Sequence, residues 1–376
     1  MPLTGKERFE EALSKAGTNT YPVTLSYEML YFRDQIYPQC KTPWWYAYSK
    51  DVYQRVERTC ELIDSTDLDW VYIRDHTLKP ETDDLSIEVT DDGHVFQHSK
   101  TQGTSMEIPS PLVGGTKPID KYGDVSLDSM DVLQKILWEE QKFNEQIITH
   151  DDLRRATALE VKRRYPDKFT YAIVFAPMVK FFLLFGLYKG MLYVASKPGF
   201  VKYFCDKYLE ISLAEIQNAA SHGADCIQID VMYLDMIHPD FYREFGLPGI
   251  LAMKEACKDL NMKSLVNFLG DSTKHIKDTL SIGADIYHFE DSNGNDKNNI
   301  LRIADAIEGK AVLQGNLNAI EILQDGSDED LKREIQRQKE AGKRNKNRFI
   351  MCTGSPVTPF TPKERVEAYI RLCKEE

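Results

Sequence analysis

Two stretches decide the fold: "EIQNAASHGADCIQID" (215–230) and "HIKDTLSIGADIYHFED" (275–291). Each reads as a helix, then Gly-Ala-Asp, then a short β-branched or aromatic run ending in an acid. Gly223 and Gly283 fall where a helix C-terminus prefers glycine. Any helix-to-strand turn favours glycine, but two identical tripeptides at matched positions argue for equivalent helix–strand units.

Working outward from this echo, eight runs carry strand character: PVTLSY (22–27), WVYIRD (70–75), YAIVFA (171–176), CIQID (226–230), SLVNFL (264–269), IYHFED (286–291), AVLQGN (311–316) and FIMCTG (349–354). Each is followed by a helical pattern, and strands alternating with helices pair in parallel. Eight units in 376 residues predict an α/β protein of the (β/α)8 TIM-barrel class rather than an open sheet. No GxGxxG follows the first strand to suggest nucleotide binding. Thr4-Gly5-Lys6-Glu7 is a capping box that opens an N-terminal helix. Residues 80–125 interrupt the alternation after the second strand. They read as a β-hairpin around Asp91-Asp92-Gly93 followed by a Gly/Pro/Ser-rich loop. The whole chain, 1–376, is expected to form a single barrel domain carrying that insertion. At the far end Thr361-Pro362-Lys363-Glu364 predicts the start of the last helix, with Thr361 as its cap, and Gly354 a turn at the barrel mouth.

Composition narrows the function. Hydrophobic residues make up 42% and charged residues 28% of the chain, an ordinary globular balance. A net charge of -12 disfavours nucleic acid or an anionic membrane as partner. Seven scattered cysteines without a CxxC pair fit a reduced, cytoplasmic chain. The polar N-terminal helix is no signal peptide, and Lys180, Gly186 and Lys189 interrupt the most apolar stretch, so no membrane span is expected.

In this fold the chemistry sits at the C-terminal strand ends. Those ends hold Tyr27 and Glu28, Asp75, Asp230, Asn267, His288 and Glu290, Gln314 and Asn316, and Ser355: a polar, acidic set with few bases. Asp75 follows an apolar strand, where burial would raise its pKa and make it a proton donor; a helix cap or a pair with Arg74 or Arg33 is the plainer role. For Asp230 the cap alternative is stronger, because "DVMYLDMIHPDFYREF" soon enters a helix. His288 sits among apolar neighbours, where a structural imidazole is commoner than a ligand. Asn316 either binds a ligand or eases a left-handed turn. Trp44-Trp45-Tyr46, with Tyr27, Tyr31 and Phe32, reads as core packing or as a wall for a flat aromatic ligand.

The order "GADCIQIDVMYLDMIHPDFYREFGLPGILAMKEACK", "NFLGDSTKHIKDTLSIGADIYHFE", "LQGNLNAIEIL", "TGSPVTPFTPKERVEAYI" resembles the uroporphyrinogen decarboxylase superfamily, which holds porphyrinogen decarboxylases and corrinoid-dependent methyltransferases. The decarboxylases' arginine-rich stretch after the first strand is replaced here by "LSYEMLYFRD". Their aspartate aligns with Asp75, their tyrosine falls near Leu183 with Tyr188 a few residues on, and their C-terminal histidine aligns with Ser355. The zinc ligands of the thiol-methylating branch align with Asn267, Leu269 and Ser355, so that metal site is not expected and any zinc stays an open question. "FFLLFGLYKGML" is closer to the methyltransferase branch. The resemblance therefore implies a methyltransferase that moves a methyl group from a small methoxylated aromatic to cobalamin carried by a separate corrinoid protein. Its catalytic residues are expected to be Asp75, Asp230 and Glu290. Substrate contacts are expected from Tyr27, Glu28, Trp44, Tyr188, Asn267, His288, Asn316 and Ser355. The expected partners are the methyl donor and the corrinoid protein, with a homodimer as the oligomeric option. The alternatives are a divergent decarboxylase resting on Asp75 and a non-catalytic barrel that binds a tetrapyrrole.

Overall fold

The computed structural model describes residues 2–73, 85–100, 103–111, 120–291 and 297–375. In chain order its strands are β1 (Trp70–Tyr72), β2 (Leu85–Val89), β3 (Val95–Ser99), β4 (Thr104–Ile108), β5 (Phe169–Phe175), β6 (Cys226–Val231), β7 (Lys263–Phe268), β8 (Ile286–Phe289), β9 (Val312–Gln314) and β10 (Phe349–Ile350). Seven of them make one parallel sheet in the order β1-β5-β6-β7-β8-β9-β10. Helices cover its outer face and the inner faces of the strands meet one another, so β5, β6, β8 and β9 are buried almost throughout. Burial on both faces is why these strands read as nearly continuous apolar runs. The sheet is curled into a half-barrel.

The stretch 22–27, expected as a full strand, departs from that pattern. Val23 bridges Met351 in parallel, and Asp69 N donates to Val23 O at 3.0 Å, so the stretch lies between the last strand and β1. Beyond Val23 side chains replace the ladder. Ser26 N donates to Thr353 Oγ1 at 3.1 Å, and Tyr72 N donates to Glu28 Oε1 at 3.0 Å. Tyr27 then turns left-handed, with φ of 50°. Regular pairing among the described residues thus joins seven strands rather than eight.

The matched Gly-Ala-Asp tripeptides have a structural counterpart. Gly223 and Gly283 adopt φ of 83° and 69°, the left-handed turn that glycine takes without steric cost. Each following aspartate holds the start of the preceding strand: Thr170 N donates to Asp225 Oδ2 and Ser264 N to Asp285 Oδ2, both at 3.0 Å. Inside the curl one apolar cluster fills the N-terminal end, including Trp70, Phe169, Tyr171, Leu265, Ile286 and Ile350. Phe9, from the helix Gly5–Leu13, stacks on Phe169 with ring centroids 4.3 Å apart, and the Thr4/Glu7 capping box starts that helix.

After β1, strands β2, β3 and β4 form an antiparallel sheet. Its first turn carries Gly93 at φ 86°, and β4 occupies sequence that reads as a loop. The apolar stretch after β5 folds as two helices, Pro177–Phe185 and Leu187–Ser196, bent by 117°. Phe181, Phe182 and Phe185 are buried there. No single helix among the described residues is long and apolar enough to cross a membrane. The last helix, Lys363–Lys374, starts one residue later than expected. Pro362 precedes it in extended conformation, and the buried Thr361 hydroxyl pairs with Thr358 Oγ1 at 3.1 Å instead of capping.

Candidate active site at the strand ends

Strand parity builds the site. Side chains that point inward recur every second residue, so the apolar cluster at Cys226, Leu265, Ile286 and Val312 is succeeded towards the C-terminal ends by polar groups. Parallel register sets Asp230 opposite Asn267, Asn267 opposite His288 and His288 opposite Gln314. Four adjacent strands thereby hold one polar row, with Phe175 beside Asp230 at its end.

Asp230 is fully buried. Tyr27 donates its hydroxyl to Oδ2 at 2.7 Å, and Gln228 and Asn267 donate amide protons to Oδ1 at 2.8 and 2.9 Å. Asn267 also donates to the Tyr27 oxygen at 3.0 Å. Burial disfavours the charge and pushes the Asp230 carboxyl up to about 6, even though the three donors pull the other way. Burial together with the Asp230 charge holds the Tyr27 phenol well above its ordinary value. Glu28 is a second buried carboxyl, raised by burial to about 7. It accepts from the Tyr171 hydroxyl and from Tyr72 N.

Along the row, the Gln314 amide nitrogen lies 3.0 Å from His288 Nδ1 and donates to Cys352 Sγ at 3.2 Å. An amide donor at Nδ1 leaves the ring proton on Nε2. Burial lowers the His288 pKa to about 4, so the ring is neutral. Two buried amide oxygens of this row have no partner, Asn267 Oδ1 and Gln314 Oε1, while the His288 ring is held by the Gly354 backbone. Buried polar atoms are normally satisfied, and two orphans in one row mark a place for a ligand or water.

Glu290 stands at the rim, where Gly270 N donates to Oε2 at 2.7 Å. Burial raises its pKa, with the charges of Asp291 and Asp235 adding to the effect. Ser355 donates to Asp291 Oδ2 at 3.4 Å. The other expected residues stand elsewhere. Asn316 has its amide taken up by Asn298 O at 2.9 Å and by Gln338 Nε2, which donates to its oxygen at 3.2 Å; it clamps a loop. Trp44 is in the short helix Trp44–Tyr48, edge-on to Tyr48. Tyr188 is 80% exposed. Asp75 lies outside the described residues. Gln228, Tyr171 and Cys352 were not singled out as site residues from sequence. All three could have been found by stepping back or forward two residues along the inward face.

Gly354 packs where no side chain fits. Its φ is not left-handed, so the turn does not require glycine; space does. A Cβ there would stand 2.5 Å from Asp291 N and 2.6 Å from Asp291 Cβ. Gly354→Ala is expected to destabilise the fold by about 1–3 kcal/mol through overpacking, measured by urea unfolding. A variant within about 0.5 kcal/mol of wild type would refute this close approach.

A family model for uroporphyrinogen decarboxylase (URO-D) matches residues 159–376, more than half of the chain. Among solved structures, a methyltransferase from Methanosarcina mazei superposes with a TM-score of 0.65 at 18% identity, covering 99% of this chain and 98% of that one. A B12-independent methionine synthase from Shewanella sp. W3-18-1 aligns at 13% identity over 95% of this chain and 94% of that one, with a TM-score of 0.44. No curated protein sequence matches. The family model, matching the region that contains β5 to β10 and the polar row they present, assigns the chain to the uroporphyrinogen decarboxylase family.

Proposed function

We propose that the protein is a methyltransferase that removes the methyl group of a small methoxylated aromatic and passes it to a separate corrinoid protein. The observation that carries this reading is the Asp230–Tyr27–Asn267 cluster. It is a buried carboxyl raised to about 6, hydrogen-bonded to a phenol, beside the aromatic surface of Phe175. When bound, the partner's corrinoid supplies a reduced cobalt nucleophile for the methyl carbon. As the methyl–oxygen bond breaks, its electron pair goes to the ether oxygen. A phenol, with a pKa of about 10, leaves far more readily than an alcohol. Protonated Asp230 donates to the Tyr27 oxygen while Tyr27 passes its own proton to the leaving oxygen. The unpartnered Asn267 and Gln314 oxygens accept from a hydroxyl on the substrate ring.

Other supports come from the rim and the cysteines. Segments following β5, β6, β9 and β10 each expose an apolar side chain, Tyr188, Met236, Ile320 and Phe360, which a docking protein could cover. All seven cysteines are free thiols, which agrees with a reducing cytoplasm. A polycarboxylate such as a porphyrinogen would meet Glu28, Asp230, Glu290 and Asp291 here. The donor set at the thiol-methylating branch's zinc positions does not fit that metal. Asn267 is an amide held by Asp230 and Tyr27, Leu269 is a hydrocarbon, and Ser355 offers only a hydroxyl. No group of three His, Cys, Asp or Glu among the described residues is arranged to hold a metal.

The test is direct. Purified protein, a chemically reduced corrinoid protein and a panel of methoxylated aromatics are incubated together, and phenol release is followed by chromatography. Phenol formation that depends on both proteins is expected. A panel that yields no phenol with any donor overturns the reading.

A further inference from the structure

Where the stretch after Val23 parts from β1, the seam between them opens outward into a cavity of about 140 Å³ beneath the helices Val52–Asp64 and Asp152–Arg164. Met29, Phe32, Leu62, Trp70 and Val71 contribute to its mostly apolar wall, and Arg58 lines it with them. Arg58 is only 3% exposed. Its Nη1 donates to Thr42 O and Thr42 Oγ1 at 3.2 and 3.3 Å, and its guanidinium lies over the Tyr37 ring, 4.1 Å from the centroid. Nε and Nη2 have no hydrogen-bond partner. The nearby Glu61 carboxylate accepts instead from Lys41 N, Thr42 N and the Thr42 hydroxyl.

An arginine cannot escape burial by losing its proton; the Glu61 carboxylate is a charge neighbour of Arg58 but makes no hydrogen bond to it, so two of its buried N–H groups stay unmatched. The unpartnered atoms are also a particular pair. Nε and Nη2 form one edge of the guanidinium, and this protein sets that edge against a carboxylate at Arg8 on Asp69, Arg33 on Asp34 and Arg163 on Glu160. Arg58 presents the same fork with no carboxylate in it, and the Cys40 thiol is its side-chain neighbour. Two-point contact with a carboxylate is the recognition that this edge favours. The size of the space limits the rest of the ligand, since an apolar cavity of about 150 Å³ holds benzene.

We propose that this cavity is a carboxylate-binding site, in which the Nε/Nη2 edge of Arg58 grips the head group of a small aromatic acid and the apolar wall takes the ring. The cavity wall also includes the Glu28 carboxyl of the strand-end site and the arginines Arg55 and Arg154, but the assignment to Arg58 does not rest on the methyl-transfer reading.

Isothermal titration of the full chain with benzoate, and with benzamide as its neutral counterpart, tests the assignment. Benzoate is expected to bind at least about 10-fold more tightly than benzamide, because only the carboxylate completes the fork. Arg58→Gln is expected to bring benzoate down to the benzamide level. Arg58→Lys, which keeps the charge without the fork, should fall between them. Circular dichroism checks that the variants fold, and the wild-type pair of ligands decides the matter if they do not. Equal affinity for the two ligands, no benzoate heat up to about 10 mM, or full benzoate affinity in a folded Arg58→Gln protein would each overturn the assignment.

Discussion

Asp230→Asn is expected to lower the rate of phenol release by about 10²- to 10⁴-fold, the usual contribution of a positioned proton donor, without weakening the fold. The amide keeps the shape of the carboxyl and an oxygen for Gln228 and Asn267, but it has no proton to pass through Tyr27. Tyr27→Phe interrupts the same relay from its other side and is expected to lose a comparable factor. The pH dependence carries a sign that can be worked out. Catalysis uses the protonated carboxyl, so the wild-type rate should fall as pH rises through about 6, the value to which burial lifts Asp230. Stability follows the same proton. A carboxyl that titrates at about 6 when folded against 3.8 otherwise binds its proton more tightly in the folded state. The fold is therefore penalised as pH climbs from about 4 through 6, by up to roughly 3 kcal/mol. Glu28, raised to about 7, acts in the same direction over a range reaching neutrality. Thermal unfolding of the wild type should thus move to higher temperature as pH falls from about 7 to about 5. In Asp230→Asn that gain should shrink, and the variant at neutral pH should be at least as stable as wild type. A variant that keeps its rate within about 10-fold, or that unfolds more readily at neutral pH, would remove Asp230 from the proposed role. The pairing of a functional loss with a stability gain expresses the cost of keeping a titratable group buried where chemistry needs it.

What could be read in the chain depended on whether a feature was local. The Gly-Ala-Asp echo is a local signal, and it located two helix–strand joints together with the aspartates that hold them. Asp230, Asn267 and His288 were legible because each closes a strand whose direction and end the sequence marks. Their company was not legible. Gln228 and Tyr171 lie inside strands, where a polar or amphipathic residue in an apolar run looks like an exception until the register aligns it with its neighbours. Asn316 looked like a mouth residue, but its amide is claimed by Gln338, a residue of the helix Asp328–Arg344, and no reading of "LQGNLN" contains that helix. The stretch 22–27 has full strand character, yet its ladder stops at Val23. The Glu28 side chain takes the Tyr72 N–H that a backbone carbonyl would otherwise accept. Arg58 is not legible in the sequence, because an arginine within "YQRVERTCELID" looks like the solvated face of an ordinary helix. Only packing shows that it is buried.

Asp69→Ala should be the most damaging single change to the fold, costing about 3–5 kcal/mol, as expected when one member of a buried ion pair is removed. Asp69 immediately precedes β1 and is fully buried. Its Oδ2 accepts from Val23 N at 2.7 Å and from Arg8 Nε at 3.2 Å. Its Oδ1 pairs with Arg8 Nη2 and, at 3.2 Å, with Lys374 Nζ. One carboxylate therefore fastens the N-terminal helix, the stretch 22–27 and the last helix at a single point. It plays for this seam the part that Asp225 and Asp285 play at the regular joints, and it holds two cations as Asp225 holds Lys6 and Lys162. Alanine leaves the Val23 N–H without its acceptor and Arg8 without its counter-charge, while Lys374 keeps only Asp67, 2.9 Å away, at a seam that has a single backbone bridge instead of a ladder. Asp69→Asn separates the two effects. It keeps an acceptor for Val23 N while removing the charge, and it should lose roughly half as much. Urea unfolding of the three proteins measures both differences. Were Asp69→Ala to fall within about 1 kcal/mol of wild type, the seam would be held by the apolar contacts of Val23, Leu25 and Phe9 alone, and the carboxylate would be a bystander.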